Sequence, residues 1–176
     1  LHRRLTLFAI WNTRIIMPTP THVLLFETTV SSSVTSITIG SIDQSFADLV
    51  LVIACDVASG NLPASIKPNG DSGQSFNVVG MVSGGSSYYI SESTTGDTFG
   101  TNTSIGRMGV LTMEILDYSK TNKFKSCLAK EGHDGQAAAY VSTYKSNQAI
   151  TSIQWPPVNG SNLPIGTKVA IYGIEA

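Results

Sequence analysis

From about residue 22 onward the chain is a succession of short runs rich in Val, Ile, Thr, Tyr and Phe, broken by Gly, Ser, Asn, Asp and Pro about every 8–12 residues. In Val34-Thr35-Ser36-Ile37-Thr38-Ile39 apolar and hydroxyl residues exchange with the period of two that marks a half-buried strand. Residues 48–57 form the most apolar run. Its length and β-branching predict a central strand covered on both faces. Further strands are expected over 23–30, 64–67, 75–82, 87–90, 109–118, 123–130, 150–155 and 168–174. Residues 137–145 contain helix-forming alanines, but Tyr140-Val141-Ser142-Thr143-Tyr144 tips the segment toward strand. Residues 91–104, polar and rich in Thr and Gly, read as a long loop. Asn69-Gly70-Asp71-Ser72-Gly73, Gly84-Gly85 and residues 131–136 read as turns, because they supply residues that tolerate positive φ.

No amphipathic helix separates the strands, which excludes a parallel α/β fold, and no heptad, solenoid period or membrane-length apolar run is present. The expected fold is an all-β, two-sheet antiparallel β-sandwich of about ten strands, with a jelly roll the favoured topology. The run at 168–174 is expected to close that fold, since losing it would leave its neighbours' ladder groups unpaired.

Two segments are expected: an N-terminal arm with a Pro-rich entry (1–21) and a sandwich domain (22–176). The arm starts with basic residues and a short apolar run, like a secretory leader, but no small-residue cleavage site follows. Met17 resembles a natural initiator, which would make the preceding residues an upstream extension. Phe8, Ile10, Trp11, Ile15 and Ile16 would have to pack on something if ordered, either their own domain or a neighbouring subunit. They are the candidate intersubunit contact.

Charged residues are only 13% of the chain and the formal net charge is −1. Ser, Thr, Gly and Asn take the place of charges, and such a surface is cheap to desolvate against another subunit. The charge gives no general attraction to nucleic acid or anionic membranes, and neither is expected as a partner. Lys120, Lys123, Lys125 and Lys130 cluster modestly around one hairpin, diluted by Asp117 and Glu131. Cys55 and Cys127 read as two buried small hydrophobes, with a single bridge between adjacent strands as the alternative.

No constellation with recognisable chemistry stands out. Of His2, His22 and His133, the last lies in a turn whose Asp and Gly are explained by turn geometry. Glu114 and Asp117, three apart on one strand, point to opposite faces and do not make an acid/base pair. Asn69-Gly70-Asp71-Ser72-Gly73 has oxygens for calcium but no second carboxylate. Asn102-Thr103-Ser104 and Asn159-Gly160-Ser161 are formal sequons that a chain of this composition produces by chance. No catalytic residue, cofactor or metal is expected.

Five segments carry a resemblance when taken in order: Ile42-Asp43-Gln44-Ser45-Phe46-Ala47-Asp48-Leu49-Val50-Leu51-Val52; Asn69-Gly70-Asp71-Ser72-Gly73; Glu114-Ile115-Leu116-Asp117-Tyr118-Ser119-Lys120-Thr121-Asn122-Lys123-Phe124-Lys125; Ile150-Thr151-Ser152-Ile153; and Val169-Ala170-Ile171-Tyr172-Gly173-Ile174. Over residues 23–174 the chain resembles small β-rich virion structural proteins of tailed phages that infect cyanobacteria and other aquatic bacteria. The resemblance implies a non-enzymatic virion component, foremost a capsid decoration or cement protein that binds other virion subunits, including copies of itself, with a homo-trimer favoured. The alternative is a tail-fibre or receptor-binding module that stacks Tyr88, Tyr89, Tyr140, Tyr144 or Trp155 on a surface glycan.

Overall fold

The computed structural model describes residues 21–54, 62–71, 76–84, 87–96, 99–105, 109–133, 135–155 and 162–175. Within them lie twelve strands: β1 (His22–Thr29), β2 (Ile37–Ile39), β3 (Asp48–Ala54), β4 (Leu62–Pro68), β5 (Phe76–Gly84), β6 (Ser87–Gly96), β7 (Phe99–Ile105), β8 (Val110–Leu116), β9 (Lys125–His133), β10 (Gln136–Tyr144), β11 (Ile153–Trp155) and β12 (Lys168–Ile174). They form an eight-stranded sheet in the order β1-β12-β3-β8-β9-β10-β5-β6 and a four-stranded sheet in the order β2-β11-β4-β7. Every pairing is antiparallel. The fold is an all-β sandwich.

Its topology follows from which strands pair. Set aside the hairpins β5–β6 and β9–β10, and eight strands remain. The first pairs with the last (β1 with β12), the second with the last but one (β2 with β11), the third with β8 and the fourth with β7. That nested pairing, wrapped so that successive pairs alternate between sheets, is a jelly roll. The two hairpins are insertions that widen one sheet from four strands to eight.

Alternation decides what each strand buries. On β3, Leu49, Leu51 and Ile53 face the core, with Val50 and Val52 on the other face. That second face is half-exposed, so β3 is covered on one side, not both as its composition suggested. On β8, Leu111, Met113 and Ile115 face inward, and on β10 Tyr140, Ser142 and Tyr144 do. Ile39, Ile66, Phe99, Ile153 and Trp155 of the smaller sheet meet them from above. β7 lies over β5, β9 and β10.

β1 breaks the alternation in Leu24-Leu25-Phe26. The ladder to β12 shifts register between Leu24 and Phe26, which makes Leu25 a bulged residue. The bulge turns both Leu25 and Phe26 toward the core and leaves Leu24 and Glu27 outside. Residues 91–104, expected as a loop, are instead strand over most of their length, as the ends of β6 and β7. Threonine is β-branched as well as polar, and the ladders to β5 and β4 decide in favour of strand. The turn expected over 131–136 shrinks to a tight hairpin, with His133 already paired to Gln136.

One close approach holds the two inserted hairpins to each other. Gly80 of β5 pairs with Tyr140 of β10 on the inner face, and the Tyr140 ring lies against the glycine where a Cβ would stand. Gly80→Val is therefore expected to cost about 1–3 kcal/mol through overpacking. Chemical denaturation checks this, and Tyr140→Leu in the same chain should recover part of the loss.

Candidate functional site

Parts of the five segments singled out in the sequence meet at one end of the sandwich. The loop after β2 meets the segment before β11: the Ile42 amide donates to Thr151 O at 3.0 Å, and Gln44 Nε2 donates to Ile42 O at 2.7 Å and Ile150 O at 3.1 Å. Tyr118, fully buried in the turn after β8, donates its hydroxyl to Asp43 O, while its own carbonyl accepts from the Ile150 amide at 2.8 Å. Asn69, at a φ of 53°, ties the turn after β4 into the same cluster. Its Nδ2 donates to Ala149 O at 2.9 Å, and its Oδ1 accepts from the amides of Thr151 at 2.9 Å and Ser152 at 3.2 Å. Phe46 lies over Gly173 of β12, where a Cβ would meet its ring.

The charged groups at this end are committed to holding it. Asp48 Oδ1 accepts from the Asp117 amide at 2.7 Å, which pins Asp117 at a φ of 54°. Asp43 Oδ1 accepts from the Ser45 amide at 2.9 Å, and this bond holds the carboxyl below its ordinary value of 3.8. Tyr144 donates to Asp71 Oδ2 at 3.2 Å. Lys125 is fully buried, with Nζ donating to Lys123 O at 3.1 Å and Ser146 O at 3.4 Å; burial pulls its pKa below 10.5. Burial pushes the Tyr118 and Tyr144 phenols above 10.0. This end is a lock between loops, and its chemistry is that of hydrogen-bonded backbone. Among the described residues no three or more His, Cys, Asp or Glu stand as a metal-holding group.

The outer face of the larger sheet is different in kind. Val79 and Met81 on β5, Ala139 and Val141 on β10 and Leu128 on β9 all project there. The ladders place Leu128, Val141 and Val79 in one cross-strand row and Ala139 and Met81 in the next. Met81 is 69% exposed, Val141 52% and Val79 47%. Between them is an almost wholly apolar hollow of about 350 Å³, lined by Val79, Met81, Leu128, Ala139 and Val141. A contiguous exposed apolar patch of this sort marks a contact surface more often than a scatter of single residues does. On the same face Lys130 and Glu114 are paired with each other at 3.1 Å, and the ladder sets Glu92 of β6 opposite Val79.

The residues singled out from sequence scatter. Phe8, Ile10, Trp11, Ile15 and Ile16 lie outside the described residues, as does Cys55. Cys127 is a buried free thiol, pushed up to about 12 by burial. Glu114 sits on the outer face, and Asp117 lies in the turn beyond β8, bonded to Lys123 Nζ at 3.0 Å. The lysine cluster disperses: Lys125 is internal, whereas Lys123 and Lys130 each hold a carboxylate. Tyr140, Tyr144 and Trp155 are core residues, not stacking faces; Tyr144 stacks on Phe76 at 5.0 Å between ring centres. The outer patch was missed. Its signal was present in β5, where Val78-Val79 and Met81-Val82 put apolar residues on both faces of one strand.

No family model matches the chain, and no curated protein matches it. A crystal structure of a protein of unknown function from Shewanella oneidensis MR-1 is similar over 91% of this chain and 78% of that one, at 11% identity and a TM-score of 0.21.

Two outcomes follow from the lock. Asn69→Ala, which strips the bonds to Ala149, Thr151 and Ser152, should cost about 1–3 kcal/mol in urea unfolding. Asn69→Asp, which keeps the acceptor and tolerates the backbone, should cost less. The second concerns alkaline pH. Tyr118, Tyr144 and Cys127 keep their protons to higher pH when folded than when unfolded, so stability falls as pH rises above about 9–10. Lys125, shifted the other way, opposes this loss up to its ordinary value of 10.5. A thermal midpoint that drops between pH 9 and 11, and drops less in Tyr118→Phe, is the expected result.

Proposed function

We propose that this chain is a structural subunit of a virus particle, a decoration or cement protein that binds neighbouring virion subunits through the outer face of its larger sheet. The observation that carries the reading is the exposed patch of Val79, Met81 and Val141 around its hollow. Such a patch is costly in water, and covering it stabilises a complex at about 25 cal/mol per Å² before ordering costs. The loop lock at one end supports the same reading, because a block held in one shape loses little entropy when it docks. The virion resemblance of the five locked segments adds the setting. The arm with Phe8, Ile10, Trp11, Ile15 and Ile16 is in this reading a second contact to a neighbour.

The fibre-tip reading is weakened by the burial of Tyr140, Tyr144 and Trp155, which removes three of its five stacking candidates.

Particles of the encoding phage that lack this protein provide the test. Adding back the wild-type chain should restore full occupancy. Met81→Asp with Val141→Asp should reduce it at least ten-fold at equal concentration, and deletion of residues 1–16 measures the arm's share. Occupancy unchanged by the double substitution would overturn the role of the face, and no binding of the wild-type chain would overturn the subunit reading altogether.

A further inference from the structure

Exposed apolar side chains on the larger sheet are not confined to the hollow at Met81. Leu24 on β1 and Leu116 on β8 are also exposed on the outer face. One cross-strand row runs from Leu24 through Val50, Leu128 and Val141 to Val79 on β5. A second hollow of about 420 Å³, lined in part by His22, Ile174, Val50 and Glu114, lies toward the β1 end of this face. His22 is the first residue of β1, so the N-terminal arm joins the fold at the rim of that hollow. We propose that residues 1–16 lie across the outer face of their own larger sheet, with Ile15 and Ile16 toward the His22 hollow and Trp11 at the hollow lined by Met81. The arm is then a cover carried by the same chain, and any partner that docks on this face has to displace it. Such a cover goes beyond a role in a particle, because it belongs to the free chain.

Three observations favour the arm over another occupant. The first is reach. β5 stands six strand spacings from β1, about 29 Å. Trp11 lies 11 residues before His22, a span of at most about 36–40 Å, whereas Ile16 lies six residues before it, about 20 Å. Trp11 therefore reaches β5, and Ile16 reaches no further than β9. The second is charge. Residues 1–20 carry Arg3, Arg4 and Arg14 and no Asp or Glu. On the outer face Glu27, Asp48, Glu92 and Glu114 hold outward positions against Lys130 and Lys168, so the described part of the face is acidic on balance. The third is the tether. A segment joined at the rim of the face acts at an effective concentration of about millimolar, ahead of a partner in free solution. The side chains also match, since a methionine sulfur packs favourably against an aromatic ring such as that of Trp11.

Peroxide oxidation of the full chain tests this, with each methionine followed separately by peptide mass. Sulfoxide formation tracks exposure, so Met81 in the wild type should react at least about five-fold more slowly than in a full chain carrying Trp11→Asp and Ile16→Asp. Arg3→Glu, Arg4→Glu and Arg14→Glu together should release Met81 as well. Met113 is fully buried, and its slow oxidation in every variant shows that the sandwich stays folded. Protection of Met81 should be the same at about 1 and about 100 μM, because each arm is attached to the face it covers. Equal Met81 rates in the wild type and both arm variants overturn the proposal. So does protection confined to the higher concentration, which would place the arm on another copy. No particle enters the measurement, so its failure leaves the subunit reading standing, and failure of the occupancy experiment leaves the cover standing.

Discussion

The insertion of β12 between β1 and β3 is the constraint on which the rest of the molecule depends. Among the described residues β1 has no other strand beside it in the larger sheet, and its ladder is to β12. β12 in turn carries Val169 and Ile171 into the core and presents Gly173 to the ring of Phe46. The segment that leads into β12 closes the other side: Val30 exchanges bonds of 2.8 Å with Thr167 and Gly166, and Leu163 bonds Val34 at 2.7 Å. Strands far apart in the sequence are thereby clamped together. Nested pairing of this kind is all long-range, which makes the fold slow to assemble but cooperative once formed.

The loop lock is the second consequence of nesting. In a jelly roll the connections between sheets gather at the two ends, and here one end receives the loop after β2, the turn after β4, the turn after β8 and the segment before β11. Backbone that crosses between sheets leaves ladder positions empty, and its amides and carbonyls need partners. Asn69 and Gln44 supply them from side chains, and Tyr118 from its phenol. This explains why the residues most distinctive in the sequence prove to be structural. Asx and Gln side chains at such points are chosen for their paired donor and acceptor, not for catalysis.

Much of this was legible in the chain itself. Turn residues at regular spacing gave the strand count to within two, and the strand expected over 168–174 is there as β12. The exposed second face of β3 was not legible, because Leu-Val-Leu-Val-Ile reads the same whether one side or both are covered; only the strand's neighbours decide. The strands within 91–104 were hidden for the opposite reason. Their Ser and Thr carry turn chemistry and β-propensity at once, and the deciding ladder partners lie from 11 to more than 30 residues away. The reach of Asn69 across to Thr151 is likewise invisible locally, since the sequence shows an Asn-Gly turn and not what the side chain will meet.

The two inserted hairpins are where stability and the proposed binding part company. The eight nested strands already make a closed jelly roll, so β5, β6, β9 and β10 are not needed to complete the two-sheet core at the β12 end. They extend one sheet, and their inner face is filled by Tyr140, Tyr144 and Phe76 under β7. Among the described residues, no layer of strands covers the outer face. Natural sheets usually blunt such a face with charge; Lys130 and Glu114 form an ion pair on it, 58% and 40% exposed and so worth at most about 1 kcal/mol. Val79, Met81 and Val141 are then a standing cost in the bare sandwich, which is offset only when something covers them. Insertions that add an uncovered apolar face to an already complete fold make physical sense when the covering surface lies outside the sandwich.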